Sequence, residues 1–171
     1  VVFDGPEDYH ARIDDPALQI DERCILVMRG CGTLGYPGSA EVVNMAPPAA
    51  LVKRGITSLP CMGDGRQSGT SASPSILNMS PESAAGGGLS LMRTGDRIRV
   101  DLNARRVELL VDEAELAQRS EQAVPSVPAS QTPWQELYRQ FVGQLSTGGC
   151  LEPATLYLKV IETRGNPRHS H

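Results

Sequence analysis

The sequence predicts an α+β fold in which β-strands predominate and helices are few. Two apolar runs of strand length, CILVMR (residues 24–29) and ITSLPC (residues 56–61), are bounded by turn residues. A third segment, residues 97–102, alternates polar and apolar side chains, which places Ile98, Val100 and Leu102 on one face of a strand. At 171 residues the chain is long enough for one domain with a sizeable core.

Two short helices are predicted between the first two strands. The first covers residues 39–45, where Ser39 is the N-cap before AEVVNM and Glu41 lies in the first turn. The Pro-Pro pair at residues 47–48 ends that helix, and AALVKR (residues 49–54) forms the second helix, which Gly55 closes.

The second half is predicted to begin with strands and to end with helices. Strands at residues 89–92 and 97–102 flank the turn at residues 94–96, and residues 106–111 pair with the latter strand. A capped helix at residues 112–119 completes a domain of residues 1–119, and the Pro/Ser-rich residues 120–133 form a linker.

A helical appendage is predicted over residues 134–171. Its first part carries an aromatic and apolar stripe at helical spacing. We interpret the stripe as a packing surface, directed at the domain itself, at another part of the protein or at a partner subunit. The stripe consists of Trp134, Leu137, Tyr138, Phe141 and Leu145.

The segment GDGRQSGTSASPSILN (residues 63–78) is the strongest candidate for a functional loop. Three glycines within seven residues, Gly63, Gly65 and Gly69, permit positive φ angles and a close approach of backbone N–H groups to an anion. The loop also concentrates hydroxyl groups, although Gly and Ser dominate ordinary surface turns as well. These hydroxyl residues are Ser68, Thr70, Ser71 and Ser73.

Familiar motifs do not fit this loop. A phosphate-binding loop has a Lys before its Ser or Thr, but Arg66 is the only basic residue of this segment. A nucleophile elbow reads Gly-x-Ser-x-Gly, whereas here two residues separate Gly65 from Ser68. The histidines, His10, His169 and His171, lie near the chain ends, so that no base for Ser68 is evident. A bound divalent cation is the usual alternative for activating a hydroxyl group.

Composition argues against several function classes. The net charge of −4 and the scattered basic residues argue against a nucleic-acid surface. No long apolar run or basic leader predicts a membrane helix or signal peptide, and the start without Met suggests the C-terminal piece of a longer polypeptide. The four cysteines, without Cys-x-x-Cys spacing, are predicted to be buried reduced thiols of a cytosolic protein and not a zinc site.

Three motifs in order resemble the C-terminal domain of the dihydroxy-acid dehydratase and 6-phosphogluconate dehydratase family. They are LGYPGSAEVVNM (residues 34–45), the loop at residues 63–78, and SPESAAGGGLSLMRTGDRIRVDL (residues 80–102). The loop is more similar to the sugar-acid dehydratases, which act on L-arabonate or D-xylonate, than to the amino-acid branch, which typically reads GRFSGGTRG. Gln67 and the single Gly69 before Thr70 carry that distinction.

The resemblance implies a swivelling β/β/α domain, with a β-barrel-like core, helices at its rim and the loop at its mouth. It also implies a hydro-lyase in which Ser68 is the base, acting as an alkoxide at C2 of the substrate, and Thr70 is a second catalytic hydroxyl. Glu41 then corresponds to a Mg²⁺ ligand. For substrate binding we expect Arg66, Gly69 and Ser71, whereas Asp64 is either a brace of the turn or a substrate contact.

The same resemblance implies an iron–sulfur cluster, [2Fe–2S] or [4Fe–4S], held by a preceding N-terminal domain and by none of the cysteines of this chain. The expected partners are a sugar-acid substrate, that N-terminal domain and further copies in a dimer or tetramer, in the cytoplasm. The isolated chain is then expected to be inactive. Three alternatives stay open: a dihydroxy-acid dehydratase of branched-chain amino-acid biosynthesis, an inert interaction domain, and an aconitase-like isomerase domain.

Overall fold

A four-stranded parallel sheet forms the centre of the computed structural model, which describes residues 1–123 and 127–165. Its strand order is β1-β2-β3-β4. The strands are Val2–Asp4 (β1), Leu26–Arg29 (β2), Cys61–Gly63 (β3) and Ser75–Ile76 (β4). A separate antiparallel hairpin pairs Ile98–Asp101 (β5) with Arg106–Leu109 (β6).

Five α-helices accompany these strands within the described residues, together with short 3-10 turns. The helices are Gly5–Arg12 (α1), Ala49–Lys53 (α2), Glu113–Gln122 (α3), Pro133–Phe141 (α4) and Glu152–Arg164 (α5). The 3-10 turns are Pro16–Leu18, Ser83–Ala85, Gly88–Leu91 and Leu145–Thr147.

The parallel sheet is buried on both faces, as its near-continuous apolar strands require. Successive side chains of a strand point to opposite faces, so Phe3 joins one apolar cluster and Val2 joins the other. On the first face Tyr9 of α1 packs edge-on against Phe3, with ring centroids 5.4 Å apart. The Tyr9 hydroxyl also donates to the carbonyl oxygen of Ala46 at 3.1 Å, which ties α1 to the segment before α2.

Several predicted elements are confirmed. The first apolar run contains β2, residues 97–111 contain the hairpin, and α2 and α3 lie where capped helices were predicted. In the hairpin, Ile98 packs with the second cluster, whereas Leu102 lies beyond the strand and is exposed. Mixed α and β content agrees with the α+β class.

The prediction of a mainly β, barrel-like core is wrong for the described residues. The strands of the parallel sheet are only two to four residues long, and β1 and β4 remain as its two edges. The hairpin does not extend this sheet by hydrogen bonds; Ile98, Val107 and Leu109 instead pack against the cluster that contains Val27 and Met62. A barrel would require ladder hydrogen bonds to join these two sheets.

The predicted helix at residues 39–45 is absent, and Glu41 therefore lies in no first helical turn. Ser39 has a φ of 48°, in the left-handed region, and the chain beyond it is irregular, with tight turns in which the N–H groups of Val42 and Asn44 donate to the carbonyl oxygens of Ala40 and Val42. Val43 and Met45 are buried on either side of the exposed Asn44. The Val43 N–H donates to the carbonyl oxygen of Arg66 at 2.9 Å, so the backbone is bonded to the functional loop.

Two predicted strands are displaced or replaced. The run at residues 56–61 becomes a strand only at its end, because Pro60 has no N–H to donate and β3 begins at the next residue. Residues 89–92 form mostly the 3-10 turn Gly88–Leu91. Three carbonyl oxygens of this region, those of Leu89, Ser90 and Met92, accept hydrogen bonds from Arg29 Nη1 at 2.9–3.1 Å.

The C-terminal helices attach to the domain through polar contacts. Arg139 Nε donates to the carbonyl oxygen of Leu34 at 2.9 Å, and Gln144 Nε2 donates to Glu82 at 2.9 Å. The aromatic stripe is not buried by these contacts, since Trp134 is 78% exposed and Phe141 is 38% exposed.

The domain boundaries proposed from the sequence stay a prediction. Helix α3 continues to Gln122, past the expected start of the linker. Pro125 of that linker, together with His169 and His171, lies outside the described residues. Within the described part of the chain, no helix combines the length and apolar character needed to cross a membrane.

Candidate functional site

The candidate loop begins where β3 ends, and its first glycines are required by close packing. A Cβ atom on Gly65 would lie 2.6 Å from Cβ of Cys31, and one on Gly63 would lie 2.7 Å from the carbonyl oxygen of Met28. None of Gly63, Gly65 and Gly69 has a positive φ. The first two glycines therefore let β3 and its loop approach the neighbouring β2 strand.

Asp64 is the buried anchor of this loop. Its carboxylate accepts hydrogen bonds from Gly30 N–H (3.1 Å), Cys31 N–H (2.9 Å), Ser83 N–H (2.9 Å) and the Ser83 hydroxyl (2.7 Å), and the residue is fully buried. Asp64 thus joins the loop after β2, the loop after β3 and the 3-10 turn at Ser83–Ala85. Of the two roles considered for it, the contacts are those of a brace.

The hydroxyl groups lie on the outer part of the loop. Ser68 Oγ and Thr70 Oγ1 are 2.9 Å apart, and the Thr70 N–H donates to Ser68 Oγ at 3.3 Å. Ser71 N–H donates to the carbonyl oxygen of Ser68 at 3.0 Å, which closes a tight turn around the exposed Gly69. Ser68 is half-buried, so its hydroxyl is held in place and still borders solvent.

Glu41 and Arg66 lie beside the same turn. Arg66 Nε donates to the carbonyl oxygen of Ser39 at 2.7 Å, and its Nη1 is 3.8 Å from Glu41 Oε1. Both side chains are about half exposed, at 48% for Arg66 and 49% for Glu41, so this loose ion pair is a weak contact. The Glu41 carboxylate is thereby left open to a further ligand.

The structure brings the sequence-predicted residues onto one surface formed by the loops after β2 and β3. The Val43 N–H donates to the carbonyl oxygen of Arg66, and Asn44 Oδ1 accepts a hydrogen bond from the Ser68 N–H at 2.9 Å. These two bonds hold the segment that carries Glu41 beside the segment that carries Ser68. Asn44 was not among the predicted residues. Its only sequence signal is its position three residues after Glu41.

Gln67 is a second residue that the sequence reasoning did not assign to the site. Its side chain accepts from the Ser75 hydroxyl at 2.6 Å and donates to the Ser71 hydroxyl. It therefore bridges the two ends of the hydroxyl-rich turn. Ser73, the last hydroxyl of the cluster, donates to the carbonyl oxygen of Met45 at 3.3 Å and is used in packing the loop.

On this surface the Glu41 carboxylate is a suitable ligand for Mg²⁺. A carboxylate oxygen such as that of Glu41 is the hard donor that Mg²⁺ prefers. Among the residues that the structure describes, no three His, Cys, Asp or Glu side chains gather in a metal-binding group. Cys31 and Cys61 are buried as predicted, and burial raises the pKa of both thiols, that of Cys31 to about 12, which disfavours the thiolate form that binds a metal. Cys24 is half-buried and Cys150 is exposed, so the prediction of four buried thiols is wrong for these two.

A polar cleft of about 860 Å³ lies at the carboxyl ends of β1 and β2. Its walls include Asp4, Arg29, Tyr36 and Arg139. Gly30 lines the cleft and also donates to Asp64, so the cleft and the candidate loop share one support. In open parallel sheets, ligands bind outside the carboxyl ends of the strands, which is where both features lie.

Residues 1–149 match the family model described as dihydroxy-acid/6-phosphogluconate dehydratase C-terminal. The chain belongs to this family. That confirms the resemblance carried by the three motifs.

Curated relatives extend the comparison over the whole chain. A D-xylonate dehydratase of Caulobacter vibrioides is 63% identical over 171 residues, which are 100% of this chain and 28% of that protein. An L-arabinonate dehydratase of Rhizobium leguminosarum bv. trifolii is 41% identical over 89% of this chain and 26% of its own length. An L-arabonate dehydratase of Azospirillum brasilense is 35% identical over 100% of this chain and 30% of its own length. The chain thus spans less than a third of the length of these relatives.

Proposed function

We propose that this chain is the C-terminal domain of a hydro-lyase that dehydrates a sugar acid, such as D-xylonate or L-arabonate, to a 2-keto-3-deoxy sugar acid. The observation that carries the proposal is the 63% identity, over the whole chain, to a D-xylonate dehydratase. The Ser68–Thr70 hydroxyl pair and the open Glu41 carboxylate on one surface supply suitable chemistry.

Ser68 is the proposed base that removes the C2 proton. A serine hydroxyl is ordinarily too weak an acid to ionise near neutral pH, so an alkoxide needs hydrogen-bond donors that favour the charged form. Thr70 offers two such donors, its N–H at 3.3 Å and its hydroxyl at 2.9 Å from Ser68 Oγ. After proton transfer, the neutral Ser68 hydroxyl can donate back to Thr70, which keeps the pair hydrogen-bonded in both states.

The remaining residues of the surface are proposed to bind and orient the substrate. Arg66 is held through Nε by the Ser39 carbonyl, and its half-exposed guanidinium can receive the substrate carboxylate. Gly69 presents backbone without a side chain at an exposed position, where a substrate can approach closely, and the Ser71 hydroxyl lies on the same turn. These roles follow from position and chemistry.

Glu41 would provide one ligand for Mg²⁺, and the other ligands would come from outside the described residues. When bound, Mg²⁺ and the iron–sulfur cluster that the resemblance implies would supply Lewis acidity at the substrate carboxylate and at the leaving C3 hydroxyl. We propose that a preceding N-terminal domain holds the cluster and completes the site. The swivelling domain arrangement, a dimeric or tetrameric assembly and a cytoplasmic location belong to the same proposal.

The branched-chain dihydroxy-acid dehydratase is the less favoured alternative, because the loop reads GRQSGTSAS where that branch typically reads GRFSGGTRG. An aconitase-like isomerase would act on citrate-like tricarboxylates. An inert interaction domain would show no turnover in any context. These alternatives predict different substrate profiles for the full-length protein.

The test is a substrate panel on the full-length protein, with wild type, Ser68→Ala and the control Ser120→Ala, whose side chain is exposed on α3. The panel contains D-xylonate, L-arabonate, 2,3-dihydroxyisovalerate and citrate, and keto-acid formation is measured. We expect turnover of the sugar acids, a loss of roughly 10²–10⁴ in kcat for Ser68→Ala with little change in KM, and no change for Ser120→Ala. Preference for dihydroxyisovalerate or citrate would contradict the proposed substrate class, and a near-native Ser68→Ala would remove Ser68 as the base.

A further inference from the structure

Asn44 links the two chain segments that carry the candidate site. Its side-chain carbonyl accepts the backbone N–H of Ser68 at 2.9 Å, and its side-chain NH₂ donates to the backbone carbonyl of Glu41 at 2.6 Å. A primary amide has one acceptor end and one donor end, so each end here has a partner of the opposite kind. The bond to Glu41 therefore fixes which end of the amide faces Ser68.

The backbone that carries Asn44 is held firmly on both sides. Val43 is fully buried, and its N–H donates to the carbonyl oxygen of Arg66 at 2.9 Å. Met45 is 2% exposed, and its carbonyl oxygen accepts from the Ser73 hydroxyl at 3.3 Å. Because both neighbours are anchored in the core, the exposed side chain of Asn44 projects from a fixed base toward Ser68.

We propose that Asn44 is a positioning residue for Ser68, which rests on the proposed function of the loop. Its side chain bonds the Ser68 N–H and the Glu41 carbonyl oxygen, so that it acts through the Ser68 backbone. With the Ser68 N–H held, the Cα–Cβ bond is aimed so that Oγ meets the two donors of Thr70. A misplacement of about 1 Å in a reacting group can cost about 10²-fold in rate, so a fixed Ser68 backbone matters for catalysis.

The test compares three variants of the full-length protein. Asn44→Ala removes both bonds, and Asn44→Asp keeps an acceptor for the Ser68 N–H while it loses the donor to Glu41. Asn103→Ala is the matched control, since Asn103 is exposed in the turn of the β5–β6 hairpin. Steady-state kinetics with D-xylonate is combined with hydrogen exchange of the peptide covering residues 65–72, read by mass spectrometry.

For Asn44→Ala we expect kcat to fall by roughly 10- to 100-fold with KM within about twofold of wild type. Exchange of the Ser68 amide should accelerate by roughly fivefold, which corresponds to one lost hydrogen bond, while the rest of the chain exchanges as before. In Asn44→Asp the Ser68 amide should stay slow. Asn103→Ala should match wild type in both measurements.

Two results would overturn the inference: kcat of Asn44→Ala within twofold of wild type, or a Ser68 amide whose exchange is unchanged by that substitution. If Asn44→Ala fails to fold, Asn44→Asp decides through exchange, because its added charge would itself lower kcat: a folded Asp variant whose Ser68 amide exchanges as fast as an unprotected amide contradicts the inference. Wild-type protein without turnover of any sugar acid refutes the proposed function itself. If wild type turns over a sugar acid and Asn44→Ala has the same kcat, the role of Asn44 is refuted and the proposed function is not.

Discussion

Replacing Asp64 by Asn tests whether one buried carboxylate holds the candidate site together. Asp64 accepts four hydrogen bonds, and Gly30, Cys31 and Ser83 supply all four donors. An Asn side chain has nearly the same shape, but its NH₂ group donates and cannot accept. Whichever way the amide is turned, its nitrogen faces at least one backbone N–H.

The expected cost follows from these contacts. The orientation that keeps the oxygen beside Ser83 and Gly30 leaves the buried Cys31 N–H unpaired, which costs about 1–3 kcal/mol. The three bonds that remain lose the assistance of a charge, which is worth about 1 kcal/mol for each bond. A neutral amide is easier to bury than a charge, so part of this loss is offset, and we expect a net destabilisation of roughly 2–4 kcal/mol.

Urea unfolding of the 171-residue chain, followed by circular dichroism, measures this free energy directly. At about 2–4 °C per kcal/mol, the thermal midpoint should fall by roughly 4–16 °C. The matched control is Asp101→Asn, because exposed Asp101 accepts one backbone bond, from Ala104 at 2.8 Å, and should change stability by less than about 0.5 kcal/mol. Equal effects of the two substitutions would refute the assignment of Asp64 as the buried anchor.

The remaining predictions concern metal binding and acid stability. Glu41→Gln should raise the Mg²⁺ concentration needed for half-maximal activity of the full-length protein, because an amide oxygen is a weaker ligand than a carboxylate; an unchanged titration would leave Glu41 only its ion pair with Arg66. Burial raises the pKa of Asp96, but hydrogen bonds from Arg119 and from the Arg93 N–H, together with the positive charges of both arginines, lower it by more in total, so the pKa lies below its usual value of 3.8. Ionised Asp96 therefore stabilises the folded chain above about pH 4, and this contribution to the free energy of unfolding is lost as the pH falls through the lowered pKa. In Asp96→Asn the unfolding midpoint, measured from pH 2 to 6, should depend less on pH than in wild type.

The candidate loop stands out in the sequence because its composition differs from that of packing material. Ser68, Thr70 and Arg66 lie on an accessible surface, where a concentration of hydroxyl and charged groups serves no packing purpose. Glu41 was identified only through its motif. The reasoning that placed Glu41 in a helix was wrong, yet the residue lies beside Arg66, with Glu41 Oε1 3.8 Å from Arg66 Nη1.

Other parts of the fold could not be read from local pattern. In residues 39–45, a capping serine and a run of helix-compatible residues predict a helix. The chain instead forms tight turns at Val42 and Asn44, and the Val43 N–H donates to the carbonyl oxygen of Arg66 in the loop after β3 and not to a helical partner. That competing bond comes from a segment more than twenty residues away, which no local window includes. Asn44 was missed for the same reason, because its two partners become neighbours only once both loops are in place.

Two buried carboxylates explain why the surface residues can be exposed and still ordered. Asp64 fixes the start of the functional loop, and Glu82 accepts bonds from Leu34 N–H and Gly35 N–H at 2.9 Å and from the C-terminal Gln144. The floor of the site is therefore rigid and polar, whereas the groups proposed for chemistry lie above it and face outward. A surface built in this way agrees with the proposal that a second domain completes the site, because such a domain would exclude water without having to order the candidate loop.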